Sequence, residues 1–149
     1  MSLMDWLRKR LAGDESAKLE LGKDEESLSG LNLNEVLNAH LAWKDRLGAT
    51  LAGTSSEKLQ IAQVAVDNLC VLGKWLHGAG KQEFGQLPEF AALVETHRKF
   101  HLTAGEVLVE HESGHREHAQ SVLQGEFRTQ SNRIQLDLVR LFAKAKHKA

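Results

Sequence analysis

The sequence has few of the residues that build strands, disulfides or membrane spans. Its 149 residues include one proline, one cysteine and no tyrosine. β-Branched residues form no alternating runs, so strand signals are nearly absent. The lone cysteine, Cys70, excludes an internal disulfide, and no apolar run approaches the roughly 18 residues of a membrane-spanning helix. These absences predict an all-α chain with no transmembrane segment.

The charge balance argues against a nucleic-acid partner. Lys and Arg number 19 against 20 Asp and Glu, a net charge of −1, so bulk neutralisation of phosphates is not expected. Arg8, Lys9 and Arg10 interrupt the apolar start of the chain, which therefore lacks the core of a signal peptide. Hydrophobic residues make up 42% and charged residues 26%, close to the averages of globular proteins, which excludes disorder and fibrous repeats. Because the chain has one cysteine and lacks signal-peptide and membrane-span patterns, we expect a soluble cytoplasmic protein in a reducing compartment.

The chain divides into two parts of different composition. Residues 1–30 predict a short N-terminal helix that ends near Gly13, followed by an acidic linker with little apolar content. This helix has few apolar anchors for a membrane, so we expect it to pack on its own domain or on a partner. Residues 31–149 predict one helical domain, which contains the candidate functional residues.

Three long helices and one short helix are predicted in this domain. They cover about 33–51, 68–77, 88–110 and 115–146, and the state of 59–66 is left open. Asn32 or Asn34 is expected to cap the first helix and Asp67 the second, while Pro88 suits the first position of the third. Joined by modest loops, these helices predict an antiparallel four-helix bundle.

Three histidines occupy apolar, core-facing stripes. His40 lies in the stripe of the first long helix, and His97 and His101 lie four residues apart on one face of the third. That spacing can offer two imidazoles to one cation, but it also arises by chance, as in His111 and His115. Core histidines satisfied by backbone carbonyls would give the same pattern.

Cys70 strengthens the interpretation as a metal site. We expect it in the first turn of a helix, where unpaired N–H groups and the helix dipole favour the thiolate. One thiolate and three neutral imidazoles form the tetrahedral nitrogen and sulfur set that zinc prefers. The alternative is a small buried side chain with no ligand role.

The segments around these four residues resemble the chemoreceptor zinc-binding domain family. The resemblance extends over about 33–142, and the four candidate ligands are separated by intervals of 30, 27 and 4 residues, in the order of the family. The similar segments are 70–75, which reads Cys-x-Leu-Gly-x-Trp, the histidine motif 40–43, the paired histidines of 97–101, the Leu-Pro-Glu-Phe run 87–90, and Ser131.

The resemblance implies a cytoplasmic sensory domain with Zn²⁺ held by His40, Cys70, His97 and His101. Relatives are attached to methyl-accepting chemotaxis receptors or diguanylate cyclases, alter their output, and are commonly homodimers. This chain has no room for either output domain, so we expect a stand-alone member that acts in trans on such a partner.

Four further residues are expected to shape the site. Trp43 and Trp75 are interpreted as core aromatics that also wall the metal from water. Gly73 allows the close approach of a neighbouring helix. Asp67 either caps its helix or accepts a hydrogen bond from a ligand imidazole and so fixes its tautomer.

A second histidine cluster is interpreted as solvated surface. His111, His115 and His118 could form another metal-binding face on an unbroken helix. Ser113 and Gly114 are expected to break the helix at this point, and charged neighbours favour solvent.

The sequence supports a regulatory zinc domain, with a redox response through the Cys–Zn bond as its weaker part. The alternative is a structural zinc protein or a helical interaction module without a sensing role. A zinc hydrolase is disfavoured, because a fourth strong ligand fills the position that catalytic zinc keeps open.

Overall fold

A computed structural model describes residues 3–14 and 27–146 of the chain. Most of the predicted acidic linker and the last three residues lie outside these ranges. In chain order the elements are α1 (Leu3–Leu11), β1 (Ser27–Leu28), β2 (Leu31–Asn32), α2 (Leu33–Ala52), α3 (Ile61–Val64), α4 (Val71–His77), α5 (Ala79–Phe84), α6 (Pro88–Glu112), α7 (Arg116–Gln124) and α8 (Glu126–Lys146). The described part of the chain is therefore predominantly helical, as predicted.

A two-stranded hairpin precedes the first long helix, where the sequence predicted only linker. β1 and β2 pair antiparallel, and the turn between them has positive φ at both Ser29 (47°) and Gly30 (83°). Positive φ at both central residues is typical of the tightest hairpin turns. The hairpin ends at Asn32, whose side chain accepts a hydrogen bond from the Glu35 N–H at 2.9 Å. Asn32 is therefore the N-cap of α2.

Helix α4 begins later than predicted, and Asp67 is not its N-cap. The N-cap is Cys70, whose Sγ accepts a hydrogen bond from the Gly73 N–H at 3.3 Å. A Cβ on Gly73 would overlap the backbone oxygen of Asp67. The chain from Asp67 onward therefore folds across the start of α4 instead of forming its first turn.

Two other boundaries differ from the prediction. The helix predicted over 115–146 is two helices, because Gly125 takes a non-helical conformation (φ −105°, ψ −92°) between α7 and α8. The segment 78–87, predicted as loop, contains α5. Pro88 does open α6, and Ser113 with Gly114 (φ 85°) ends it, as predicted.

Helix α6 is the centre of the packing. It lies against α8 and α7, and it also contacts α2 and α3. α3 can approach closely because Gly105 has no side chain; a Cβ there would lie 2.7 Å from the Ala65 Cβ. α1 packs on α8 with Trp6 and Leu7 buried, which confirms that the N-terminal helix packs on its own domain.

Candidate metal centre

Four nitrogen and sulfur donors converge in the interior of the protein. One ligand atom each from His40, Cys70, His97 and His101 lies within 4.8 Å of every other. The three histidines are buried and the cysteine is half-buried. They come from α2, from the residue that caps α4, and from two successive turns of α6. Within residues 3–14 and 27–146, no other three His, Cys, Asp or Glu donors gather in this way.

His40 is oriented by its own helix. Its Nδ1 lies 2.8 Å from the Val36 carbonyl oxygen, one turn earlier. A carbonyl can only accept, so Nδ1 carries the proton and donates it, which leaves a lone pair on Nε2. That Nε2 is buried and has no hydrogen-bond partner. A buried polar atom without a partner is costly, and a cation would satisfy this one.

His101 is fixed in the same tautomer from a different element. Its Nδ1–H donates to the Val64 carbonyl oxygen of α3 at 2.9 Å. Its Nε2 therefore presents a lone pair, and it lies 3.6 Å from the Cys70 Sγ. The contact between Gly105 and Ala65 holds α3 close enough to provide this carbonyl.

His97 lacks such a backbone acceptor. Its Nε2 lies 3.2 Å from the Cys70 Sγ and 3.0 Å from the His101 Nε2, whereas its Nδ1 is buried without a partner. Because the His101 Nε2 carries a lone pair, the His97 Nε2 donates a proton to it in the metal-free protein. A metal bound at this Nε2 would require the proton to be on Nδ1, which has no hydrogen-bond acceptor nearby. Of the three histidines, His97 is therefore the one for which metal coordination is least favourable.

The Cys70 sulfur caps a helix in a partly dry environment. Burial is the main effect and raises the pKa of the Cys70 thiol; the Asp67 charge acts in the same direction. The backbone N–H groups of Gly73 and Leu72 lower that pKa but do not outweigh burial. The helix start alone therefore does not produce the thiolate expected from the sequence, and a bound cation must favour it.

Burial keeps the three histidines neutral. It lowers the pKa of His40 to about 4 and that of His97 to about 2, and it lowers the pKa of His101 as well. The mutual repulsion of the imidazolium forms of His97 and its neighbours His101 and His40 adds to the shift of His97. Neutral imidazoles are the form that binds metals, so the site is ready for a cation at neutral pH.

We expect the metal-free protein to lose stability as the pH falls from 7 to 5.5. The buried histidines bind protons less readily in the folded than in the unfolded state, so acid favours unfolding below the ordinary histidine pKa. Urea unfolding with a chelator at both pH values measures the effect. His97→Leu removes one of these groups, so its stability should fall less steeply with acid. An equally steep fall in that variant would contradict the assignment.

The donor atoms suit zinc in type and spacing. Zinc binds nitrogen at about 2.0 Å and sulfur at about 2.3 Å, so two tetrahedral ligand atoms lie about 3.3 to 3.5 Å apart. The distances of 3.0, 3.2 and 3.6 Å among His97, His101 and Cys70 are within a few tenths of an ångström of that spacing. Calcium and magnesium are disfavoured, because they prefer oxygen ligands.

Two of the four predicted neighbours contact the cluster. The Trp43 ring lies edge-on to the His101 ring, 6.3 Å between centroids, and carries the Arg46 guanidinium stacked at 3.8 Å on its face. Gly73 contacts Cys70 through the hydrogen bond to Sγ. A cavity of about 280 Å³ reaches this side of the cluster, with Cys70, His101 and Trp43 in its wall. Two of the four donor residues, Cys70 and His101, therefore line a cavity, and His40 and His97 do not.

The other two predicted neighbours have different partners. The Trp75 ring packs on Phe84, and its Nε1–H donates to the Ser29 carbonyl of the hairpin at 3.1 Å. The Asp67 carboxylate lies 3.6 Å from the Nε2 of His77. The tautomers of His40 and His101 are fixed by carbonyl oxygens instead, which no side-chain pattern in the sequence reveals.

The second histidine cluster forms an ion pair at the surface. Glu110 lies 2.8 Å from the Nδ1 of His115 and 2.9 Å from that of His118, and both histidines are exposed. The carboxylate raises the pKa of His118, and the histidines lower that of Glu110. His111 is half-buried, and its Nδ1 is buried without a hydrogen-bond partner. The arrangement fits the interpretation as solvated surface.

Fold and site together define the class: a predominantly helical protein with a buried cluster of three imidazoles and one thiol. Comparison with known families agrees. Residues 40–108, which contain all four donors, match the model of the chemoreceptor zinc-binding domain. Zinc is the cofactor of the family. No curated protein and no solved structure matches the chain. Among the described residues, no helix is long and apolar enough to cross a membrane.

Proposed function

We propose that this protein is a regulatory zinc domain, with His40, Cys70, His97 and His101 as the four ligands of one Zn²⁺ ion. The observation that carries the proposal is the buried, unpartnered Nε2 of His40, which faces three other donors within 4.8 Å. When bound, the ion supplies a positive charge that stabilises the thiolate and gives that nitrogen a partner. Four strong ligands leave no open position, which supports a role without catalysis.

The position of Cys70 favours regulation over a purely structural role. Its sulfur is both a proposed ligand and the N-cap of α4, so the ion bears directly on the start of that helix. α4 also carries Trp75, which is hydrogen-bonded to the hairpin that precedes α2. We therefore expect loss of zinc to alter a helix start that is connected to a second element, as the two-state element of a sensor requires.

Exposed apolar residues near the ligands support a partner surface. Two of them flank Cys70 in the sequence, and a third follows His101. In the described part of the chain, the exposed large apolar residues are Val66, Leu69, Val71, Leu102 and Val109. Such residues are typical of interaction sites. The proposal therefore includes a homodimer, in the antiparallel bundle arrangement, that acts in the cytoplasm on a chemoreceptor or diguanylate cyclase type of protein.

Hydrogen exchange and sedimentation of the zinc-loaded and zinc-free protein test the regulatory role. We expect zinc to slow exchange in α4 and in the hairpin, and to change the monomer–dimer equilibrium. Val71→Ser should weaken association with no loss of zinc, because Val71 is 70% exposed and its side chain is not a ligand. Identical exchange outside the ligands and identical association in both forms would support the structural alternative.

A redox response is the second part of the proposal. Cys70 is half-buried and lies in the wall of the cavity, so a small oxidant can reach its sulfur. Oxidation of the thiolate removes the one anionic ligand and should release the ion. Treatment with peroxide or hypochlorite, followed by zinc release with a colorimetric chelator, tests this. Retention of zinc while Cys70 becomes oxidised would exclude it.

The three histidine ligands should differ in their importance. Hydrogen bonds that orient a metal-bound imidazole contribute about 10- to 100-fold to metal affinity, and His97 has none at Nδ1. We therefore expect His97→Ala to reduce zinc affinity about tenfold less than His101→Ala, whose Nδ1 is bonded to the Val64 carbonyl. Competition with a chromogenic chelator measures both constants. Equal losses would contradict the ranking.

A further inference from the structure

The cavity beside the metal centre has both buried and exposed residues in its wall. Its volume is about 280 Å³, slightly below the range of typical small-molecule sites. The wall contains two of the proposed zinc ligands, Cys70 and the buried His101. It also contains Glu57, Lys58 and Gln60, which are exposed. The cavity therefore extends from the protein surface to residues of the metal centre.

Two charged side chains of this wall form a pair that joins separate segments. The Arg46 Nε–H, on α2, donates to the Glu57 Oε2 at 3.2 Å, and its Nη2 donates to Oε1 of the same carboxylate. The same guanidinium is stacked on the Trp43 ring at 3.8 Å from the centroid. A guanidinium with two hydrogen bonds and a stacking partner has a fixed geometry, unlike most surface ion pairs. This Arg46–Glu57 pair connects α2 to a segment 11 residues farther along the chain.

The segment that carries Glu57 is the more easily displaced of the two. Residues 54–60 form no helix or strand, and all of them except Ser55 and Leu59 are exposed. Segments with few buried contacts and no regular hydrogen bonding open at low cost in free energy. α2, by contrast, is a regular helix of 20 residues. Loss of the pair should therefore release residues 54–60 and leave α2 in place.

From these observations we infer that the Arg46–Glu57 pair is a strap that closes this cavity and limits the access of small molecules to Cys70. The inference rests on the proposed zinc site and adds a control on how fast that site exchanges with solvent. Neither side chain is a proposed ligand, and the pair reaches the cluster only through the edge of the Trp43 ring on His101. A strap that forms equally with and without zinc slows entry and exit alike and leaves the zinc affinity unchanged.

Alkylation of the zinc-free protein measures this access, because Cys70 is the sole cysteine of the chain. Iodoacetamide is the probe, since it is small and uncharged. We expect Glu57→Gln and Arg46→Gln each to speed alkylation about five- to tenfold, the combined effect of an ion pair and a stacked cation. The double variant should be no faster than either single variant, because the two side chains act as one strap. Rates over about pH 7 to 9 separate access from ionisation of the thiol.

A second pair of the same kind provides the matched control. Arg98 donates to both carboxylate oxygens of Glu95, at 3.1 and 2.6 Å, on the exposed side of α6. Neither residue is in the wall of the cavity. Glu95→Gln makes the same change of charge and should leave the alkylation rate of Cys70 unchanged.

Zinc exchange gives the second readout. In stopped-flow mixing, Glu57→Gln should speed zinc uptake by the zinc-free protein and zinc loss to a chelator by the same factor. The dissociation constant should then stay within about twofold of the wild type, because it is the ratio of the two rates. A residue that only positioned His101 would instead speed zinc loss and weaken the affinity.

Three results would overturn the inference: unchanged alkylation in both single variants, an equal acceleration in Glu95→Gln, or a zinc affinity that weakens in step with faster zinc loss. Failure of the proposed function is a separate outcome. If the wild type bound no zinc, the zinc site would be wrong, yet alkylation of Cys70 would still decide whether the strap limits access.

Discussion

Cys70→Ser is expected to reduce zinc affinity by more than about 100-fold, while helix α4 stays intact. Serine is a preferred N-cap, so its oxygen can replace Sγ as the acceptor for the Gly73 N–H. A neutral hydroxyl is a poor zinc ligand. Removing a direct ligand should reduce zinc affinity more than removing a hydrogen bond that supports a ligand, which costs roughly 10- to 100-fold. Isothermal titration with a competing chelator measures affinity, and circular dichroism reports the helix.

Cys70→Ala is the matched control for the two roles of this side chain. It removes the ligand and the N-cap together, so it should match Cys70→Ser in zinc affinity but cost about 1 kcal/mol more in the unfolding free energy of the metal-free protein. If serine retained zinc affinity close to that of the wild type, Cys70 would not be a ligand. If both variants were equally stable without metal, the cap would have no energetic role.

Gly73→Ala is expected to lower the unfolding free energy by at least about 3 kcal/mol. The added Cβ would overlap the backbone oxygen of Asp67, and a backbone atom cannot move aside as the end of a side chain can. The segment from Asp67 to Cys70 must therefore shift, and the sulfur shifts with it. We expect zinc affinity to fall together with stability, as measured by urea unfolding and chelator competition.

Gly48→Ala is the control for a helical glycine with space around it. A Cβ at Gly48, within α2, meets no atom within 4 Å. Alanine has the higher helix propensity, so this change should raise the unfolding free energy by about 0.5 to 1 kcal/mol and leave zinc affinity unchanged. A similar small gain in Gly73→Ala would show that the close approach to Asp67 does not exist.

The local signals in the sequence predict most of the helices and place two of the four donors, His97 and His101, side by side. Apolar periodicity, Pro88 and Gly114 define the long helix α6, and the spacing of His97 and His101 places both on its inner face. These features depend on residues within one or two turns of each other. That is the range over which a sequence pattern constrains structure most strongly.

The features that the sequence did not predict depend on contacts between distant backbone segments. The start of α4 was misplaced because Asp67 is a good capping residue by type, yet its backbone instead crosses Gly73. The carbonyls of Val36 and Val64 that fix two imidazole tautomers belong to residues whose side chains give no signal of that role. An isolated glycine lowers helix stability only modestly and does not by itself end a helix, so the break at Gly125 depends on tertiary structure.

Zinc content and zinc K-edge X-ray absorption of the purified wild-type protein test the central claim most directly. The account predicts one zinc ion per chain, with one sulfur neighbour at about 2.3 Å and three nitrogen neighbours at about 2.0 Å. The sulfur signal should vanish in Cys70→Ser. A spectrum of the wild type without sulfur, or a protein that takes up no zinc at neutral pH, would contradict it.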